Sequence, residues 1–194
     1  MNVNQAELTQ AGQTGSLKVS QAFSRFSGQP VKVMATEAKL IPIREILTSL
    51  QTSEEKAVIV SAQVISSGLP GAAIMVMARG QALRFVDLMT GKPRGTTGVM
   101  MENDRSAVKE TLNILSNSYL GALSELSRQK LLTTIPHIMM AGNLQAILEQ
   151  SFAGRDGQAI LFKTVLFIAA QEVELTLFMV FSDKLAELLN QVIN

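Results

Sequence analysis

The chain contains no cysteine, no tryptophan, one tyrosine, one histidine and five prolines among 194 residues. Without cysteine there can be no disulfide, thiol nucleophile or Fe–S cluster, and the usual structural zinc sites are also excluded. This fits a cytoplasmic location. Aromatic residues make up only 5% and the formal net charge is +1, so neither a base-stacking platform nor an electrostatic footprint for nucleic acid is expected. A Ser/His/Asp triad would have to use His137, and no nucleophile-elbow sequence accompanies it, so that ring is assigned a structural role. No carboxylate cluster or histidine pair suggests a metal site, and no cofactor of the protein's own is expected.

Long hydrophobic runs are also missing. The most apolar stretch, Ala159 to Phe181, is interrupted by Lys163, Gln171, Glu172 and Glu174. It reads as two buried strands, so no membrane insertion is expected. The N-terminal MNVNQAELTQ has neither a basic nor an apolar region and does not read as a secretory signal. GKPRGTTG, Gly91 to Gly98, is glycine-rich and basic but lacks the order of a phosphate-cradling loop, and reads as a mobile linker.

What the chain does have is 47% hydrophobic residues, enough for a real core, arranged with clear periodicity. The organising stretch runs from Ser106 to Pro136. At about 3.6 residues per turn, Ser106, Glu110, Asn113, Asn117 and Ser124 fall within about 60° on a helical wheel and form a polar stripe. Val108, Leu112, Leu115, Tyr119, Leu123 and Leu126 form the opposite, apolar face. Leu120 falls toward the polar side, where it would be exposed and could dock a partner. Glu110 and Asn113, on adjacent turns, can engage one small target together: a carboxylate holds a cation, and an amide can orient a water without titrating.

The order of elements occurs twice. A long helix from about Asn4 to Phe26 is followed by a strand, Val31 to Pro42, and a short helix, Ile43 to Leu50. Two strands come next, Ala57 to Ile65 and Ala72 to Ala78, then a helix, Gly80 to Met89. The second half repeats this with the Ser106 helix, strands near Lys130 to Met140, Ile160 to Ala170 and Glu174 to Phe181, a short helix at Ile147-Leu148 between the first two of these, and a helix from Ser182 to Val192. Ala22-Phe-Ser matches Ala122-Leu-Ser at an offset of one hundred residues. The expectation is a single α+β domain over residues 1–194, internally duplicated about a pseudo-twofold axis, with repeats of about 1–90 and 101–194 joined by the glycine-rich linker. Its sheet should be mostly antiparallel, with two long helices on one face.

Ser106-x3-Glu110-x2-Asn113, followed after twenty-two residues by Pro136, resembles the signature of the CheC, CheX and FliY family of response-regulator phosphatases. All four positions would coincide by chance in roughly one chain of this length in several hundred. LNILSNSYLGALSEL also resembles that family's helix, and the resemblance covers nearly the whole chain. It implies one continuous α+β body and, as substrate, the phospho-aspartate of a CheY-type receiver domain. Glu110 would pair with the receiver's lysine and Asn113 would orient the attacking water. Ser106 and Asn117 would support these two or touch the receiver, as would Leu120, and Pro136 would begin or bend the supporting strand. Magnesium would belong to the receiver.

Aligning the halves puts Gln10 at the place of Glu110, Gln13 at that of Asn113 and Thr36 at that of Pro136, so the first copy reads as a degenerate second site. Gly12 and Gly15 beside it would weaken the helix but admit a closely approaching partner. A CheD-like partner or a homodimer is compatible with the resemblance. The other function class is a non-enzymatic adaptor of the same fold, as in the FliM middle domain.

Overall fold

The computed structural model describes residues 4–50, 57–65, 69–139, 148–149, 151–152 and 157–193. Asn4 stands in extended geometry with its side-chain oxygen accepting from the N–H of Ala6, which starts helix α1 (Gln5–Ser27). Gly28, at φ +66°, ends it in the left-handed conformation that glycine adopts without penalty. Strand β1 (Val31–Pro42) follows, then a 3-10 turn (Ile43–Glu45) leading into the short helix α2 (Ile46–Leu50). β2 (Ala57–Ile65), β3 (Gly71–Ala78) and α3 (Arg79–Met89) complete the first half. The second contains α4 (Glu102–Ser127), β4 (Leu132–Thr133), β5 (His137–Met139), β6 (Gln158–Ile168), β7 (Val173–Ser182) and α5 (Lys184–Ile193). Of the second short helix, Leu148 is helical and buried, whereas Ile147 lies outside the described residues.

The fold is α+β. Its sheet runs β1-β6-β7-β3-β2-β4, with β5 also pairing β2, and all described pairings are antiparallel. The stretch expected as two buried strands forms β6 and β7, which pair with each other from Ala159↔Ser182 to Ile168↔Val173. β3, Gly-Ala-Ala-Ile-Met-Val-Met-Ala, lies inside the sheet and is buried along nearly its whole length. Its alternate residues enter two cores. Ala73, Met75 and Met77 join the larger one beneath α1, α3, α4 and α5, while Ala72, Ile74 and Val76 join a smaller one with Ile46, Leu50, Leu148 and Phe152. Both long helices thus cover the same face.

Several local devices recur one hundred residues apart. Ser24 Oγ accepts from the N–H of Val31 at 3.0 Å, and Ser124 Oγ from the N–H of Leu131 at 3.1 Å. Ser27 and Ser127 each donate to the carbonyl four residues earlier, at Phe23 and Leu123. Gly28 has its counterpart in Arg128, which holds the same left-handed conformation at φ +52°. In each half these bonds fold the chain directly after the long helix back along its flank.

Two expectations are corrected here. The predicted strand Lys130 to Met140 is interrupted between β4 and β5, and Pro136 sits buried in the gap. Proline has no N–H to give to a ladder, and Pro136 stands directly before His137, where the second piece of the strand begins as expected of it. Nor is the Gly91 to Gly98 segment a free linker. Asp87, fully buried at the end of α3, accepts from the N–H groups of Gly95, Thr96 and Thr97 at 2.7, 3.1 and 2.9 Å. Arg94 in the same loop pairs with Glu172 at 2.7 Å. The loop is wrapped around a carboxylate.

Burial pushes the Asp87 carboxyl up, but the donors at Thr97, Gly95 and Thr96 outweigh it and hold the pKa below the ordinary 3.8. Its stabilisation is therefore fully present above that ordinary value and is lost as pH falls through the lower folded one. Asp87→Asn, which keeps one acceptor oxygen and loses the charge, is expected to cost about 2 kcal/mol at neutral pH. Urea titrations at neutral and acidic pH check this: the gap between wild type and variant should narrow in acid. A gap independent of pH would deny the charge its role.

Candidate functional site

α4 carries the polar stripe, and its placement follows from packing. Val108, Leu112, Leu115, Tyr119 and Leu123 are fully buried in the larger core, with Leu126 partly buried against it, so the opposite side must face outward. Asp104 accepts from the N–H of Met101 at 2.8 Å and closes the first turn. The helix starts at Glu102, one turn before the first stripe residue.

Along the stripe, Glu110 and Asn117 are exposed and Asn113 is half-buried between them. Asn113 Nδ2 donates to Glu110 Oε2 at 3.4 Å, and Asn117 Nδ2 donates to Asn113 Oδ1 at 2.9 Å. Thr133 Oγ1, on the returning strand β4, donates to Asn117 Oδ1 at 3.5 Å. The donors form a relay, Thr133 to Asn117 to Asn113 to Glu110, which ends on the carboxylate. Among the described residues Glu110 has no ion-pair partner. Asn113 keeps one N–H and one oxygen lone pair uncommitted, enough to hold a water from both sides.

Ser106 is exposed one turn earlier and makes no hydrogen bond to Glu110. Leu120 is a correction: it is fully buried in the larger core and unavailable for docking. It lies midway between Asn117 and Ser124, and both of these bond to the strand that doubles back, at Thr133 and at the Leu131 N–H. The chain after α4 therefore returns along the flank that a wheel leaves open. Thr133 was missed by sequence reasoning, although a polar residue on a strand returning along a polar stripe is a usable signal. His137 is exposed in β5 opposite Ser61.

On α1, Gln10 and Gln13 are both exposed, at the positions matching Glu110 and Asn113. Two further exchanges accompany them: Leu17, 58% exposed, stands where Asn117 does, and Val33, 38% exposed, where Thr133 does. The polar relay is replaced by amides and apolar groups. Thr36, matching Pro136, donates to Ser16 Oγ at 3.0 Å, and Ser16 and Thr164 share a buried hydrogen bond at 2.7 Å. The close approach expected at Gly15 is made within the chain, by the Tyr119 ring of α4, whose hydroxyl lies 3.4 Å from the Gly12 carbonyl. At Gly12 the side chains drawn close are Phe162 from β6 and Thr36 and Ala38 from β1. Burial pushes the Tyr119 hydroxyl pKa well up, so it serves as a neutral donor.

No family model matches the sequence. Solved structures do match it over nearly its whole length. FliY of Thermotoga maritima is 18% identical with a TM-score of 0.72, covering 99% of this chain and 98% of its own. The chain has the CheC/CheX/FliY-type fold. A chemotaxis protein CheX from Desulfovibrio desulfuricans is 13% identical with a TM-score of 0.58, covering 89% and 99% of the two chains. A chain of the FliG–FliM complex from H. pylori is 11% identical with a TM-score of 0.68, covering 96% and 100%. Among the described residues no helix is long and apolar enough to cross a membrane, and no group of three or more His, Asp or Glu gathers as a metal site.

Proposed function

We propose that this protein hydrolyses the aspartyl phosphate of a CheY-type receiver domain. The observation that carries the reading is the pair on α4: an outward carboxylate with no ion-pair partner among the described residues, hydrogen-bonded to an amide with one donor and one acceptor to spare. Glu110 receives the receiver's lysine. Asn113 enters beside the acyl phosphate and holds a water in line with the bond to be broken. Water attacks phosphorus, the P–O bond to the aspartyl oxygen breaks, and the receiver's carboxylate leaves with the bonding pair. Magnesium comes with the receiver. Asn117 and Thr133 are positioning residues that fix the Asn113 amide.

The site works from the second of two repeats, and the α1 surface with Gln10 and Gln13 is its degenerate duplicate. Mixing the protein with phosphorylated receivers and timing phosphate loss tests the reading. Unchanged lifetimes with every receiver would sink it. The adaptor reading is favoured by a specific neighbour, the chain of the FliG–FliM complex, and forecasts binding without any change in phosphate lifetime. Protein partners of the chemotaxis and flagellar systems, a CheD-like protein or a second copy of this chain suit either reading.

Glu110→Gln preserves shape and removes the charge intended for the lysine. Its KM for a phosphorylated receiver is expected to rise about fivefold at low salt, with the difference shrinking as salt rises, because a wet ion pair is screened. Equal KM values at low ionic strength would reject the pairing.

A further inference from the structure

The edge strand beside each long helix is irregular at the same place. In β1 the register shifts between Val33 and Ala35, and Met34 at the shift is 59% exposed. In the second half the strand is broken from Thr134 to Pro136, and Ile135 in the gap is 79% exposed. Both irregularities lie beside the corresponding long helix, but at the hundred-residue offset Ile135 matches Ala35 and not Met34, so the large exposed side chain at this position belongs to the second half alone. It has a local cause in the second half. Pro136 is buried and cannot donate to the ladder, so the chain leaves the sheet just before it and turns Ile135 to solvent.

Ile135 is also continuous with the stripe. It lies two residues beyond Thr133, whose hydroxyl begins the relay through Asn117 and Asn113 to Glu110. The segment that carries Ile135 thus follows directly on the strand that flanks the polar stripe of α4. We propose that Ile135 is a specificity-determining docking residue, the apolar contact that a phosphorylated receiver domain makes beside Glu110 and Asn113. The inference rests on the phosphatase reading, and it gives the strand break at Pro136 a use: to present an anchor next to a polar reaction site.

The test compares wild type, Ile135→Ala, Ile135→Val and Leu17→Ala on the receiver that the wild type dephosphorylates fastest. KM, kcat and the Kd for the same receiver carrying beryllofluoride in place of phosphate are measured. Ile135→Ala is expected to raise KM and Kd about tenfold while kcat stays within about twofold, as for truncation of an interface anchor. Ile135→Val should recover most of the loss, Leu17→Ala should match wild type, and thermal melts should coincide because Ile135 is exposed. An unchanged KM and Kd for Ile135→Ala beside an active wild type overturns the docking role alone. An equal loss in Leu17→Ala overturns it too, by assigning the effect to surface hydrophobicity in general. A wild type inactive on every receiver defeats the phosphatase reading and the docking role with it.

Discussion

Asn113→Ala is expected to slow receiver dephosphorylation about a hundredfold, the scale of losing one positioning donor in a preorganised site. On the phosphatase reading the loss should fall on kcat, since Glu110 and the surface around it would still be there to meet the receiver. Stability should hardly change: Asn113 is half-buried, its bonds run along its own helix to Glu110 and Asn117, and Ala is the better helix former. Single-turnover decay of the phosphorylated receiver, read beside a denaturation curve, separates the two. Full activity with an intact complex would remove Asn113 from the chemistry.

Gly15→Ala is expected to destabilise the fold by about 3 kcal/mol, at the upper end for overpacking. A Cβ there would lie 2.5, 2.6 and 2.7 Å from the Cζ, Cε1 and Cε2 atoms of Tyr119. The ring has nowhere to go: Tyr119 is fully buried and packs on Phe162 with ring centroids 5.7 Å apart. The roughly 1 kcal/mol that Ala brings as a helix former is too small to offset this. Gly121→Ala, where a Cβ would meet nothing within 4 Å, supplies the contrast and should stabilise by up to about 1 kcal/mol. Urea midpoints for both variants decide it. A Gly15→Ala protein as stable as wild type would mean that α1 and α4 can shift apart at little cost.

Most of the architecture was legible because periodicity and stop signals agreed. β1 begins and ends at Val31 and Pro42 as predicted, set by the Gly28 stop before it and the proline at its end. α1, β2 and β7 are placed within a residue or two for similar reasons. The misses arise where tertiary neighbours override a local pattern. A wheel treats α4 as a cylinder in solvent, but Leu120 is fully buried in the larger core, on a helix along which the following chain returns. The glycine-rich loop reads as free because its partner, Asp87, precedes it in the chain and closes on it only after folding. For the site, the spacing of Glu110 and Asn113 was visible in the sequence. The fixing of the amide through Thr133 needed the sheet edge in place.

The seam between α1 and α4 also bears on self-association. At matched positions the two helices differ in size: Gly15 against Leu115, Val19 against Tyr119. Tyr119 fills the hollow that Gly15 leaves, so one repeat supplies the knob and the other the hole. Two second repeats paired about the same axis would drive Tyr119 into Leu115, and two first repeats would leave a void between Val19 and Gly15. Each repeat therefore discriminates against its own kind and in favour of its covalent neighbour. The seam thus fits each half to the other half of its own chain and offers no matching fit to a pair of identical halves.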